Sequence, residues 1–295
     1  MNLQTVSSDI IFFANTLNGR EKAVLVWLVI FILWAVSQKN IRKSLFDVLK
    51  SFFQIKIFSV FVAMFAYIFL ILWLLYSIQI WNIELTKDIV FWIFGSAIVL
   101  LMNTNKATQD DNHFRKILKD NLKLIIVLEF VVVLYAFNFW IEMIFIPVMF
   151  FIVAMGAVAE IKKEYLQVKK IIDFVLSAIG IFLIIFAISQ IAKDYQSFVS
   201  LNNLRSFVLP PLLSFALIPF LYIFALIMAY ETLFVRLDIF IKYDKSLAKF
   251  AKIKIFKLCF LNLKKLNKFA KESSTDLLNL KDKNDIVSLV QKFTI

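Results

Sequence analysis

The chain has very few of the residues that build most catalytic and metal centres. It contains one cysteine, Cys259, and one histidine, His113. A single cysteine excludes a disulfide within the chain, and one cysteine with one histidine is too few for a zinc site of the usual kind. Glycine occurs four times and always alone, so the sequence has no P-loop and no dinucleotide-binding loop. We therefore expect no nucleotide-hydrolysing module, no metal site and no cofactor.

The signatures of membrane-embedded enzymes are also missing. The sequence has no histidine-rich cluster, no Gly-x-Ser-x-Gly nucleophile elbow and no pair of aspartates within an apolar run. Activating a water molecule or a nucleophile requires a constellation of this sort. The sequence therefore favours a protein that is not an enzyme.

Long apolar runs are what the chain has in abundance. Of its 295 residues, 61% are hydrophobic and the mean hydropathy is +0.83, whereas soluble domains are about 45–50% apolar. The runs predict seven transmembrane helices, at residues 23–37, 57–81, 89–102, 122–137, 141–159, 171–191 and 207–230. The first and third runs have only 15 and 14 residues, so they either cross a locally thinned bilayer or are interfacial or re-entrant.

The positive charges favour seven full crossings. Lysine and arginine are concentrated in the cytoplasmic loops of membrane proteins, the positive-inside rule. With seven crossings, 28 of the 33 lysines and arginines fall on one side and five on the other. We therefore predict an all-α integral membrane protein with its N-terminus outside and its C-terminus in the cytoplasm. It has a transmembrane domain, 1–230, and a cytoplasmic C-terminal region, 231–295. The bias toward Lys, Ile, Asn and Phe suggests an AT-rich bacterial genome, and we therefore expect a multi-pass protein of the bacterial inner membrane.

A polar loop at residues 103–121 holds His113 beside Asp110 and Asp111. Apolar residues recur at helical spacing through Phe114 and Ile117, and the preceding aspartates can cap a helix there. We interpret the loop as a capped amphipathic helix leading into the fourth crossing. The alternative, a metal or acid/base site, needs three or more convergent ligands, and adjacent aspartates on one helix point about 100° apart.

Ionisable groups within membrane spans are candidate functional sites, because each is costly there unless it is paired. Glu129 lies about 9 Å beyond Lys123 along a helix, well inside the fourth run. Asp173 and Glu231 lie near the cytoplasmic ends of the sixth and seventh runs, so the three acids would line a cavity open to the cytoplasm. They form either a cation or proton site or, as we favour, a polar clasp between helices.

The C-terminal region interleaves lysines with apolar residues. Lys245, Lys249 and Lys252 share one helical face, and Lys257, Lys264 and Lys268 share another, which predicts two amphipathic helical pieces. Basic amphipathic helices next to a membrane bind anionic phospholipids, or they pack on themselves. Nucleic-acid binding is disfavoured by the high apolar content. The last twenty residues are expected to form short helices that dock a protein partner or a second copy of the chain.

These features favour a non-enzymatic scaffold or membrane effector that acts through its cytoplasmic loops and basic tail. Small multi-pass proteins of bacterial defence and toxin systems have a similar general architecture, which is an analogy and not a motif match. The alternative is an ion or proton channel or transporter that uses the acidic cavity around Glu129.

Overall fold

The computed structural model describes residues 17–108, 110, 112–120, 135–161, 163–241, 244–273, 276–279 and 282–293. Every regular element within these residues is helical, which confirms the all-α prediction. The predicted fourth crossing, 122–137, lies outside the described residues apart from its last three.

The main helices are numbered in chain order. They are α1 Gly19–Ser37, α2 Lys39–Phe52, α3 Ile55–Ser77, α4 Ile83–Met102, α5 His113–Asp120, α6 Phe139–Ile161, α7 Leu166–Lys193, α8 Leu201–Phe240, α9 Lys245–Cys259, α10 Leu263–Glu272 and α11 Lys283–Lys292. Short 3-10 segments occur at Thr104–Thr108, Lys163–Tyr165 and Asp276–Asn279, and a single α-helical turn at Tyr195–Phe198. Within α4 the helix widens to a π-helix over Ile93–Ala97.

Several of these helices have the length and composition typical of membrane-spanning helices. Five described helices, α3, α4, α6, α7 and α8, are long and apolar enough to cross a membrane. A sixth candidate is the pair α1 and α2, which qualifies only when taken together and is bent by 106° at its break. The predicted short run 89–102 is part of α4, which has 20 residues and is therefore about 30 Å long. The predicted short run 23–37 is α1, which begins at Gly19.

The chain divides into two compact units, each with its own internal contacts. The first unit comprises Met1–Val90 and Leu122–Pro211. In it α1 packs on α6, and α6 packs on α7. The start of α1 comes so close to the start of α6 that a Cβ atom at Gly19 would overlap the carbonyl oxygen of Phe137. Trp27 donates a 2.9 Å hydrogen bond from its indole nitrogen to the Met143 carbonyl oxygen, so this ring faces a neighbouring helix.

A buried ion pair joins the same two helices. Glu142 on α6 is 0% exposed, and its Oε1 accepts hydrogen bonds of 3.0 Å from Arg20 Nε and from the Phe137 backbone N–H. A buried carboxylate is tolerated only when a partner compensates for its lost hydration. Arg20 therefore fixes the point at which α1 meets α6.

The second unit comprises Phe91–Asn121 and Leu212–Ile295. Its core gathers the C-terminal half of α8, including Leu226, Leu233 and Leu237, and the apolar faces of α9, α10 and α11. On α9 the buried residues are Leu247, Ala248, Ala251, Ile255 and Cys259, which is the spacing of one helical face. The apolar faces of the basic C-terminal region are therefore covered by the unit's own core.

Local capping explains where the C-terminal helices begin. The carboxylate of Asp244 accepts a 2.9 Å hydrogen bond from the Leu247 N–H at the start of α9, and the amide oxygen of Asn262 accepts a 3.0 Å bond from the Lys265 N–H at the start of α10. Asp282 opens α11 with a reciprocal capping box to Asp285. Such caps satisfy backbone donors that have no partner within the helix.

Candidate functional site

The three predicted intramembrane acids have different settings. Glu129 lies outside the described residues. Asp173 is exposed on α7 of the first unit and accepts a 2.7 Å hydrogen bond from Lys169 Nζ, one turn earlier on the same helix. Glu231 is exposed on α8 of the second unit, beside a shallow apolar hollow that includes Phe234 and Phe256. The predicted cavity formed by the three acids stays a prediction.

The polar loop contains the helix α5, which starts at His113. Before it, the Asp110 carboxylate accepts a 2.9 Å hydrogen bond from the Asn112 N–H and pairs with Lys116. The Lys116 ammonium group lowers the pKa of Asp110, so this carboxyl group is ionised at neutral pH. Desolvation lowers the pKa of His113. Asp111 lies outside the described residues, and no group of three potential metal ligands occurs among the residues that the structure does describe.

The six predicted lipid-contacting lysines have three different settings. Lys252 is held by Asp238 at 2.7 Å and lies over the ring of Phe234 at 5.7 Å from its centroid, so it ties α9 to α8. Exposed positions on α9 are taken by Lys245, Lys249 and Lys257. Lys264 and Lys268 lie on α10 and line a groove in the second unit.

This basic groove is defined by Arg236 on α8 and by Lys264, Lys265, Lys268 and Lys271 on α10. It has a volume of about 1220 Å³, and its other charged residues are Asp110 and Glu272. Arg236, Lys264, Lys265 and Lys268 form no ion pair within the described part of the chain. Asp110 is already neutralised by Lys116. The groove therefore carries an excess of positive charge, with five cations and only one carboxylate, Glu272, that Lys116 does not neutralise.

The lysines reach the groove because of the periodicity of α10. Leu263, Leu266 and Phe269 are buried in the core of the unit, so the opposite face of the helix presents the lysines. On α8, Leu233 and Leu237 are buried while Arg236 is exposed. The two apolar faces pack in the same core, and their basic rims consequently meet.

An apolar pocket adjoins the basic groove. It has a volume of about 830 Å³ and is walled by Ile218, Pro219 and Ile223 of α8, and by Phe260 and Leu261. The residues that line both the pocket and the basic groove are Asp110, Asn262, Lys264 and Asn267. One continuous site therefore offers cations at one end and hydrocarbon at the other.

The turn Phe260–Asn262, between α9 and α10, lies where the two halves of the site meet. Phe260 has a φ of 40°, which is unfavourable for a residue with a side chain. Tyr230 donates a 2.8 Å hydrogen bond to the Phe260 carbonyl oxygen, and Tyr222 donates a 2.7 Å bond to that of Leu261. Phe260 and Leu261 are each 58% exposed. The two tyrosines thus hold a strained turn that presents two apolar side chains.

Cys259 precedes this turn and is not a reactive thiol. It is 2% exposed, and burial raises its pKa to about 11. The thiolate is the nucleophilic form of cysteine, and it is scarce here at neutral pH. Cys259 therefore acts as an apolar core residue.

No family model, curated protein or solved structure matches this chain in sequence or fold. Sequence reasoning identified Lys264 and Lys268 from helical spacing, but it missed Arg236, Tyr222 and Tyr230. Their roles arise because α9 and α10 return along α8, and no local pattern signals that return.

Proposed function

We propose that this protein is a non-enzymatic, multi-pass scaffold or effector of the bacterial inner membrane, which binds a phosphate-bearing anion in the basic groove of its C-terminal unit. The observation that carries the proposal is the convergence of Arg236, Lys264, Lys265 and Lys268, none of which has an ion-pair partner among the described residues.

Electrostatics supports an anionic ligand. Like charges that share one groove repel each other, and an anion relieves this repulsion while gaining several charge-assisted hydrogen bonds. The side chain of Arg236 presents a planar fork of N–H donors that suits phosphate oxygens. The side chains that line the basic groove are mainly cations and amides. Such groups bind an anionic ligand through charge and hydrogen bonds.

The distribution of charge supports a cytoplasmic position for this unit. The C-terminal region from Arg236 onward carries 14 of the 33 lysines and arginines, and such regions stay in the cytoplasm. The cytoplasmic leaflet is anionic and attracts nearby basic segments by about 1 kcal/mol per lysine or arginine. The ligand and the membrane surface are therefore available on the same side.

The proposal is tested by measuring polyphosphate binding to the full-length protein in nanodiscs of phosphatidylcholine, which has no net charge. Wild-type protein should bind polyphosphate in a salt-dependent way, and the double variant Lys264→Gln/Lys268→Gln should bind about 30-fold more weakly. The control is Lys39→Gln/Lys43→Gln, which removes two exposed lysines at the same spacing on α2. Equal affinities for the two double variants would contradict the proposal.

A further inference from the structure

We infer that the basic groove and the apolar pocket together bind one molecule of an anionic phospholipid, with its phosphate beside Lys264 and Lys268 and an acyl chain beside Ile223. This inference rests on the proposed function, because it names the ligand of the same groove.

The two halves of the site adjoin each other. Lys264, Asn262 and Asn267 line both the groove and the pocket, so a ligand anchored at the lysines lies next to the apolar wall. The pocket volume of about 830 Å³ is within the range of about 300–1,000 Å³ that is typical of small-molecule sites. A molecule with an anionic end and a hydrocarbon body satisfies both halves, whereas a soluble phosphate leaves the apolar half to water.

The pocket lies at a level on α8 that can be measured from the start of the helix's apolar run. The last charged residue before the apolar run of α8 is Arg205, and Tyr222 lies 17 residues beyond it. That length is about 26 Å of helix, close to the roughly 30 Å thickness of the hydrocarbon core. Tyrosine is enriched at the membrane interface. The pocket wall around Tyr222 is therefore at the depth where headgroups give way to acyl chains.

The remainder of α8 explains why the apolar run continues past this level. Leu226, Leu233 and Leu237 are buried in the core of the second unit. Their apolar character serves protein packing and does not require lipid. The predicted seventh crossing, 207–230, therefore combines a lipid-facing part with a part that belongs to the folded C-terminal unit.

The polar end of the site carries hydrogen-bond donors that suit a phosphate group. Asn262 uses its amide oxygen to cap α10, and its amide N–H groups donate to no described residue. Lys264 and Lys268, one turn apart on α10, are exposed and unpaired within the described chain. Amide and ammonium donors on one rim suit a phosphodiester, which is an anion with several acceptor oxygens.

The strained turn at Phe260 forms part of the wall of the apolar pocket. Strained backbone persists where the surrounding structure enforces it, and it is concentrated at ligand sites. Here Tyr222 and Tyr230 enforce it, and the result is that Phe260 forms part of the pocket wall while remaining exposed. An exposed aromatic ring beside lysines is typical of a segment that lies at a lipid interface.

The test compares two lipids that differ only in headgroup. Full-length protein in a non-ionic detergent is titrated with phosphatidylglycerol or phosphatidylcholine of the same acyl chains, and native mass spectrometry counts the lipid retained. Wild-type protein should retain one phosphatidylglycerol in preference to phosphatidylcholine. Lys264→Gln/Lys268→Gln should weaken this retention about 30-fold, while Lys39→Gln/Lys43→Gln should retain lipid as the wild type does.

A second pair of variants tests the apolar half. Ile223→Trp places a large ring in the pocket and should abolish retention of phosphatidylglycerol while polyphosphate binding is unchanged. Ile227→Trp, one turn along the same helix and outside the pocket, should behave as wild type. Equal retention of the two lipids by the wild type, or undiminished retention by Ile223→Trp, would overturn the inference. If polyphosphate binding by the wild type also fails, the proposed function falls with it, and if only lipid retention fails, the proposed function stands.

Discussion

The hydroxyl group of Tyr222 donates a 2.7 Å hydrogen bond to the carbonyl oxygen of Leu261 and also accepts one of 3.2 Å from the N–H of Leu263. This side chain of α8 is therefore hydrogen-bonded both to the turn that follows α9 and to the first residue of α10. This relationship fixes α10, and with it the lysines of the basic groove, against α8. The geometry of the candidate site thus depends on a residue that carries no charge.

Removing this hydroxyl group should loosen the turn. Tyr222→Phe keeps the ring and should destabilise the C-terminal unit by about 1 kcal/mol, the usual net contribution of a hydrogen bond. Hydrogen exchange should accelerate at the amides of residues 261–263 in particular. Tyr195→Phe, which removes an exposed hydroxyl group from the first unit, is the control and should leave exchange unchanged. Unaltered protection in Tyr222→Phe would show that the turn does not depend on this contact.

The close approach at Gly19 gives a second prediction. Gly19→Ala should destabilise the protein by about 1–3 kcal/mol, because the new methyl group overlaps the Phe137 carbonyl oxygen and helices must shift. Gly180→Ala is the matched control, since a Cβ atom there meets nothing within 4 Å, and the greater helix propensity of alanine should stabilise it slightly. Thermal unfolding in detergent measures both variants. Similar melting temperatures for the two would contradict the packing of α1 on α6.

The buried ion pair between Arg20 and Glu142 gives a third prediction. Arg20→Gln leaves the fully buried carboxylate of Glu142 without its cation, and loss of one partner of a buried pair costs about 3–5 kcal/mol. The double variant Arg20→Gln/Glu142→Gln removes both charges and should recover part of this loss. Lys169→Gln, which breaks the exposed pair with Asp173, should change the melting temperature little. A loss in Arg20→Gln no larger than in Lys169→Gln would refute the structural role of the pair.

His113 should make the stability of the protein depend on pH. Desolvation lowers its pKa in the folded state below the usual 6.5, and the nearby Lys106 and Lys116 act in the same direction against Asp110. Because the unfolded chain then binds a proton more readily, the contribution of this group is fully present above about pH 6.5 and falls as the pH is lowered through the folded-state pKa. The variant His113→Gln should show a shallower loss of melting temperature between neutral and mildly acidic pH. An unchanged slope would exclude this role for His113.

Hydropathy predicted the apolar helices but not their ends. The apolar run 89–102 has 14 residues, but α4 begins at Ile83 and includes Glu84, Lys87 and Asp88. All three have tertiary partners: Asp88 accepts a 2.7 Å hydrogen bond from Ser206, Glu84 accepts a 2.7 Å bond from Asn202, and Lys87 lies 3.4 Å from the Glu21 carboxylate. A charge that is paired after folding does not end a helix, and no local pattern reveals such pairing.

The C-terminal region shows a second limit of sequence reasoning. Periodicity predicted apolar and basic faces, and α9 and α10 have them. It did not predict what covers the apolar faces, because lipid and protein core require the same residue types. The core of the second unit covers them, and this changes the proposed lipid contact from a flat helical surface to a specific groove.

Cysteine labelling tests at once whether the basic groove faces the cytoplasm and whether it holds an anion. Wild-type protein, whose only cysteine is buried, is the control and should not be labelled. The variant Lys271→Cys places a thiol on the rim of the groove and leaves Lys264 and Lys268 in place. A membrane-impermeant maleimide should label this variant in inside-out vesicles but not in intact cells, and polyphosphate should slow the labelling. Labelling in intact cells, or labelling that polyphosphate does not slow, would contradict this prediction.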